Sequence, residues 1–503
     1  MISCPKWWRK ANMRRVLPGL LLLFVGTWAG CATAAGPDWL PLLPPAQHQV
    51  MDWRVNFGSQ APFSKHVTVL PGAWMAVNGS MPASLGINAR RWLFHEASAG
   101  RIERTPERAR QVLSGCGDAI CQKPEDSASC PRDCRRLAPA SAAARIADRS
   151  LAPRGVKLPD GRVLIGLKRT LADRHVIQAL TTSPRDDEWI IRGTVEENAS
   201  ADGGDLGNPI PFRHGQGRLL MAFRDHQSRP GGERTYQLRV EFSDDDGLTW
   251  HRGKAEGEGI IDVSSHGLWE PFLYEDAHGD LRVVYAKEHA PRSCRGKLLR
   301  KQDIVTKVSR DGGKSWAGEA VVASAGFSRD GVPSVARLRD GSFVLVFESW
   351  RNEACDSLNP KLVIRSMQSR DGVTWDRRRT VYSPGARHED GAAASFEDAV
   401  ATWPYALRLR DGRLLVLFTT DEDHVSAREP RVARDRDFDI KFLLTKHEAT
   451  YESLEWEESG AQLAYAMTAG DDEVRYASAV QLDDGNVLLL FARPARHGVL
   501  RLR

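Results

Sequence analysis

No long block of lysine and arginine runs through these 503 residues, and the formal charge is only +5. That argues against a dedicated nucleic-acid surface. The longest apolar run, "VLPGLLLLFVGTWAG" at 16–30, falls short of the ~20 residues a membrane-spanning helix needs. No histidine stands inside the cysteine-rich segment 116–134, which argues against a zinc site there. The dispersed histidines, such as His214, His266 and His289, lack ligand spacing, so no catalytic metal is indicated. Past residue 150 the helical period is missing as well, and strand patterning replaces it.

Each of these lacks frames something present. The short apolar run follows Lys6, Arg9, Lys10, Arg14 and Arg15, so residues 1–35 read as an export signal. Small residues in "CATAA" place cleavage near Ala34 or Ala35; Cys31 in "WAGC" is a competing lipid-attachment site, disfavoured by Trp28. The mature protein is expected in the periplasm or outside the cell, without a transmembrane segment and as a monomer. Cysteine usage suits that address. Cys116, Cys121, Cys130 and Cys134 predict a two-disulfide knot of open pairing inside an insertion over 101–149. Asp118, Glu125, Asp126 and Asp133 supply oxygen ligands for a structural calcium, although a solvated acidic knot is the simpler reading. No other cofactor is implied.

One unit then recurs six times: a strand, an Asp-Gly-like turn, and a second apolar strand. Its copies are "RGVKLPDGRVLIGL" (154–167), "PIPFRHGQGRLLMAF" (209–223), "PFLYEDAHGDLRVVYA" (271–286), "PSVARLRDGSFVLVF" (333–347), "PYALRLRDGRLLVLF" (404–418) and "SAVQLDDGNVLLLF" (478–491). Third and fourth strands follow in each unit. Four-stranded units at this spacing predict an all-β, six-bladed propeller over 150–503. The chain ends on the third strand of the sixth blade, so an earlier segment must close the ring. Residues 36–100 are the expected source, with "HVTVLPGAWMAVN" (66–78) as the closing strand.

Between third and fourth strands a phrase repeats: "SDDDGLTW" (243–250), "SRDGGKSW" (309–316) and "SRDGVTW" (369–375). Its aspartate can accept hydrogen bonds from the turn backbone, its glycine permits the turn, and its tryptophan covers apolar surface. The phrase is scaffold rather than chemistry.

Propeller geometry puts functional residues just before first strands and just after second strands, around the channel. Arg154, Asn208, Trp269, Glu270, Asp330, Trp403 and Tyr476 stand before first strands; Arg224, Asp225, Glu348 and Trp350 stand after second strands. Aromatics beside arginines and carboxylates suit a sugar. Glu270 in "LWEPFLY" and Glu348 in "SFVLVFESW" are carboxylates of adjacent blades, the pair that glycoside hydrolysis requires. The bland alternative for Glu348 is a strand-end salt bridge to Arg351. Cys294 and Cys355 follow second strands of the same two blades, where a bridge would fasten the loops beside both glutamates.

The repeated phrases resemble the Asp-box (BNR) repeats of sialidase-type propellers. Within that group, "LWEPFLY", "DGVPSVARLRDGSFVLVFES" and "WPYALRLRDGRLLVLF" most resemble exo-α-1,5-L-arabinanases of glycoside hydrolase family 93. The resemblance implies a retaining mechanism with Glu270 as nucleophile and Glu348 as acid/base, releasing arabinobiose from a chain end. Asn208, Arg224, Asp225, Trp269, Asp330, Trp350 and Trp403 would bind substrate. "RYASAVQLDDGNVLLLF" resembles the segment where sialidases carry a nucleophilic tyrosine, which would be Tyr476, with Arg154 as a carboxylate clamp. "APRGV" departs from the Arg-Ile-Pro expected there. A non-catalytic carbohydrate-binding propeller is the reading from another class; it needs neither glutamate.

Overall fold

Second strands explain the architecture best. Phe343–Trp350 and Leu414–Thr420 are buried along almost their whole length, on both faces, because each is covered by a blade on either side. Fourth strands behave oppositely: the first five residues of Ala317–Ala323 are exposed. A sheet buried at its inner strands and wet at its outer one is a blade.

The computed structural model describes most of residues 134–502, together with Cys121, Cys130 and the strand positions Trp53–Val55, His66–Leu70 and Trp74–Asn78. The segments 183–188, 200–203, 229–233, 356–360, 385–398, 424–437 and 468–473 lie outside the described residues. So do the export signal at 1–35 and the acidic residues of the cysteine-rich insertion.

Six antiparallel sheets form the ring. Blade one is Ser150–Lys157, Val163–Thr170, Arg174–Thr182 and Trp189–Ala199. Blade two is Asp205–His214, Arg218–Ser228, Arg234–Ser243 and Ile260–Ser264. Blade three is Leu268–Glu275, Leu281–Glu288, Gln302–Ser309 and Ala317–Ala323. Blade four is Gly331–Arg337, Phe343–Trp350, Leu362–Ser369 and Asp376–Tyr382. Blade five is Ala401–Arg408, Leu414–Thr420, Asp439–Leu444 and Gln462–Tyr465. Blade six is Arg475–Gln481, Val487–Ala492 and Arg496–Leu502. Among the described residues there is no helix long and apolar enough to cross a membrane.

The missing outer strand of blade six does not come from 66–78. Leu137–Ala138 pairs with Leu502 and Arg501, and Ala144–Arg145 pairs with His497 and Arg496. Residues 66–78 instead form a three-stranded sheet with Trp53–Val55. The closing pieces are two residues each, too short to show a strand period, whereas 66–78 alternates plainly. Chain economy favours the observed closure, since it lies a few residues before blade one.

Of the cysteine-rich insertion, Cys121 lies against a turn on the face opposite the channel mouth. Cys121 pairs with Cys134, and Cys130 is also disulfide-bonded. The Cys121 N–H donates to the Asp411 carbonyl at 3.0 Å, in the turn between the first and second strands of blade five. Arg413, one of the largest fully buried side chains, donates from that hairpin to the Arg135 carbonyl.

All three repeated phrases are scaffold. Asp245 accepts from the Thr249 N–H at 2.8 Å and its hydroxyl at 2.6 Å, while Trp250 Nε1 donates to the Gly247 carbonyl at 2.9 Å. Asp311, Ser315, Gly313 and Trp316 repeat the pattern. In the shortened copy the Gly372 carbonyl accepts instead from the Tyr274 hydroxyl of the neighbouring blade, at 2.7 Å.

Candidate active site

Every first strand opens on the same irregularity. Ala152, Asn208, Glu270, Val332, Trp403 and Tyr476 all have φ between 46° and 56°. Each falls inside a register shift between first and second strands. Left-handed backbone is strained for residues other than glycine, most of all for β-branched Val332. Proline follows in five blades (Pro153, Pro209, Pro271, Pro333 and Pro404) and Ala477 in the sixth. Proline cannot donate to a ladder, so it suits a point where the ladder is already interrupted. A bulge re-aims its side chain and frees a backbone N–H. Six such bulges form a ring of residues around the channel.

The two glutamates use those freed groups. Glu348 ends the second strand of blade four, and its Oε2 accepts the N–H of the blade-five bulge residue Trp403 at 3.0 Å, along with the Thr402 hydroxyl. Glu270 is itself the bulge residue of blade three and accepts a backbone hydrogen bond from the blade-four bulge residue Val332. Each carboxylate is thus held by the irregular strand of the next blade. The Glu348–Arg351 pair does not form; Arg351 donates to the Pro384 carbonyl instead.

Both carboxylates face one cavity of ≈ 380 Å³. Burial raises the pKa of each. Glu270 is pushed up to about 7, first by burial and then by the charge of Glu348, against the pull of Arg224 and Arg154. The negative charge of Glu348 thus adds to burial in favouring the protonated form of Glu270.

Of the other residues expected here, Arg224, Trp269, Trp350 and Tyr476 line the same cavity. Arg224 is fixed by Asp205 at 2.6 Å and lies 5.1 Å over the Trp269 ring. Trp403 packs against Tyr476 with ring centroids 4.8 Å apart and planes tilted by 40°. Arg154 is buried, its guanidinium 6.0 Å from the Tyr405 ring and within electrostatic reach of Glu270 and Tyr476. Three polar atoms at this end of the channel are buried without a partner: Asn208 Oδ1, Arg224 Nε and Trp269 Nε1. They leave one acceptor and two donors open to hydrogen bonding there.

Two expected residues lie elsewhere. Asp330 is fully buried behind the blade-four bulge, bound by Arg378 at 2.8 Å and 3.0 Å. Asp225 pairs with Arg239 at 3.2 Å in a buried ion network with Glu196. Both point along their blades because a neighbouring arginine claims them. Conversely, Gln302, Arg329 and Leu362 line the cavity and were not foreseen. Gln302 and Leu362 begin third strands, which start on the same face, but no motif marks such positions. Arg329 precedes the blade-four bulge by three residues and is held by Glu288 at 2.8 Å. Among the described residues no group of histidine, cysteine and carboxylate side chains could hold a metal. The Cys294–Cys355 disulfide does join the loops after the second strands of blades three and four.

A six-bladed propeller with three Asp-box turns and paired carboxylates in its channel defines a class. Residues 172–489 match the BNR repeat-like domain, and the chain belongs to that family. Among solved structures, an α-L-arabinanase of Penicillium chrysogenum complexed with arabinobiose is 19% identical, covering 73% of this chain and 96% of its own, with a TM-score of 0.46. An α-L-arabinofuranosidase of Fusarium graminearum is 16% identical over 73% and 96%, with a TM-score of 0.47. A Hadza microbial sialidase is 14% identical over 70% and 66%, with a TM-score of 0.43. No curated protein matches the chain.

Proposed function

We propose that this protein is an exported, retaining, exo-acting glycoside hydrolase whose substrate is α-1,5-linked arabinan or a related glycan. The observation that carries this reading is the pair Glu270 and Glu348 facing one cavity, each gripped by a bulge of the next blade. The cavity volume of ≈ 380 Å³ sits toward the lower end of the ~300–1,000 Å³ typical of small-molecule sites, as suits the end of a chain. The Cys121–Cys134 and Cys294–Cys355 disulfides, with Cys130 also bridged, fit an oxidising compartment.

Glu348 protonates the departing glycosidic oxygen while Glu270 attacks the anomeric carbon, forming a glycosyl ester. Glu348, now ionised, then removes a proton from water, which displaces Glu270 and restores both groups. Arg154 and Arg224 favour the ionised form of Glu270, which supports its role as nucleophile. Donors occupy Glu348 Oε2, leaving Oε1 to carry the proton. Trp269, Trp350 and Trp403 provide ring faces for the sugar, and Asn208 and Arg224 provide unsatisfied polar atoms.

A sialidase reading has its own support, because Tyr476 lines the cavity and Arg154 lies within reach of it and of Glu270. Incubation with linear α-1,5-arabinan and, separately, with sialyl-lactose separates the two. Arabinobiose or arabinose, lost on Glu348→Ala, establishes the arabinanase reading; free sialic acid shifts the nucleophile to Tyr476. Binding of arabinan that survives both Glu270→Gln and Glu348→Gln, with no product in any form, would make the protein a carbohydrate-binding propeller.

A further inference from the structure

The loop between the second and third strands of blade three, residues 289–301, carries Arg292, Arg295, Lys297, Arg300 and Lys301 and no acidic residue. The whole chain has a formal charge of +5, so the rest of the molecule is close to neutral and this loop is a local concentration. It folds as a small hairpin, Arg292–Cys294 against Lys297–Leu299, turning at Arg295 and Gly296 with φ of 45° and 77°. The hairpin is not free to wander. Cys294 is bridged to Cys355, and Arg295 Nε donates to the Cys355 carbonyl at 3.0 Å. Arg292 and Lys297 are exposed, and neither has an ion-pair partner among the described residues.

The charge is continuous with the cavity. Arg329, which lines it, donates through Nη1 to the Arg300 carbonyl at 3.0 Å. Glu288 binds Arg329 at 2.8 Å and Arg300 at 3.5 Å, tying the hairpin base to the cavity wall. A run of basic side chains therefore leads from the cavity wall to a disulfide-anchored hairpin; Glu288 and Asp303 (3.1 Å from Lys301) balance its inner end, and Arg292 and Lys297 carry the unbalanced charge at its outer end.

We propose that this hairpin is a docking surface for a polysaccharide bearing carboxylate groups, gripping the chain beyond the sugars held in the cavity. The direction of that run rests on the glycan reading of the site; the binding itself does not. Carboxylates along an extended polymer match cations spaced along a hairpin, and many weak exposed pairs add where one would not suffice. A lipid surface fits less well, since Leu298, 73% exposed, is the hairpin's one well-exposed large apolar side chain.

Native electrophoresis through gels containing polygalacturonate, or neutral linear arabinan, tests this. Polygalacturonate should retard the wild-type protein, and salt near 0.5 M should abolish the effect by screening, the Debye length then being only about 4 Å. Arg292→Glu combined with Lys297→Glu should weaken the retardation about tenfold, with an unchanged melting temperature showing that the fold is intact. No retardation by polygalacturonate, equal retardation of the double variant, or binding only to phosphatidylglycerol vesicles would each overturn the proposal. Arabinan hydrolysis by the wild type, read in parallel, reports on the arabinanase reading alone: hydrolysis without retardation sinks the docking surface, and retardation without hydrolysis leaves the docking surface standing and counts against arabinan as the substrate.

Discussion

Glu270 is held at about 7 first because burial strips water from it and then because Glu348 shares its cavity. Folded Glu270 binds its proton more tightly than the unfolded chain does. Stability therefore drains away as pH rises from the ordinary carboxylate range through about 7, and above that the site carries the full cost of an ionised buried pair. Glu270→Gln removes the charge while keeping the shape. Activity should fall by at least about a thousandfold, yet the protein at pH 8 should become more stable by roughly 2 kcal/mol. At pH 4, where the wild-type residue is already neutral, that gain should vanish. Thermal melts at the two pH values decide it: a variant less stable at pH 8 would mean that the carboxylate is structural. The backbone is strained at the same residue, since Glu270 occupies a left-handed conformation that a non-glycine residue would otherwise avoid.

Turns and strands carried most of the legible information. Four Asp-Gly turns and two others closing on glycine, between continuous apolar runs, located all six hairpins, because a glycine with positive φ and a doubly buried strand both leave plain marks in composition. Asp-box aspartates were equally readable, since their work is local to the turn. The bulge ring was only half visible. "WEP" and "WP" expose Glu270 and Trp403, but the equivalent positions in blades one and four hold Ala152 and Val332, which carry no polar signal, and the nearest charged residues in sequence are Arg154 and Asp330, two positions away. Arg154 still reaches the site; Asp330 does not, because Arg378 captures it. Long-range capture of this kind has no trace in local sequence. For the Asp-box turns a clean separation of scaffold from chemistry follows. Desolvation raises the pKa of Asp311, but hydrogen bonds from Ser315 and Ser309 outweigh it and hold the group below its usual range. Its contribution is thus present above the ordinary carboxylate pKa and lost as pH falls through the lowered one. Asp311→Ala should cost about 1 kcal/mol near neutrality, less at pH 3, and leave kcat unchanged. A large loss of kcat with an unchanged melt would move the Asp box into the site.

Closure of the ring belongs to the whole molecule. Blade six has three strands of its own, and its outer edge, Arg496–Leu502, is covered by Leu137–Ala138 and Ala144–Arg145. The cover is anchored on both sides: the Ile146 N–H donates to the Ala495 carbonyl at 2.7 Å, and the Ala140 N–H to the Ala464 carbonyl of blade five at 2.8 Å. Leu137 and Ile146 are buried within the core clusters, and burying two such side chains contributes roughly 3–6 kcal/mol. Losing the segment would remove that burial and bare a strand edge ready to pair with another chain. A protein beginning at residue 136 keeps both closing pieces, although it lacks the Cys121–Cys134 bridge; one beginning at residue 149 lacks the cover entirely. The first should melt cooperatively within several degrees of the full-length protein, while the second should aggregate or melt far lower. Differential scanning calorimetry with light scattering on the two forms measures this. Equal behaviour would mean that blade six stands on three strands. If the longer form also collapses, then the part removed with it, which includes Cys121 hydrogen-bonded to Asp411 of blade five, is the true fastener of the ring.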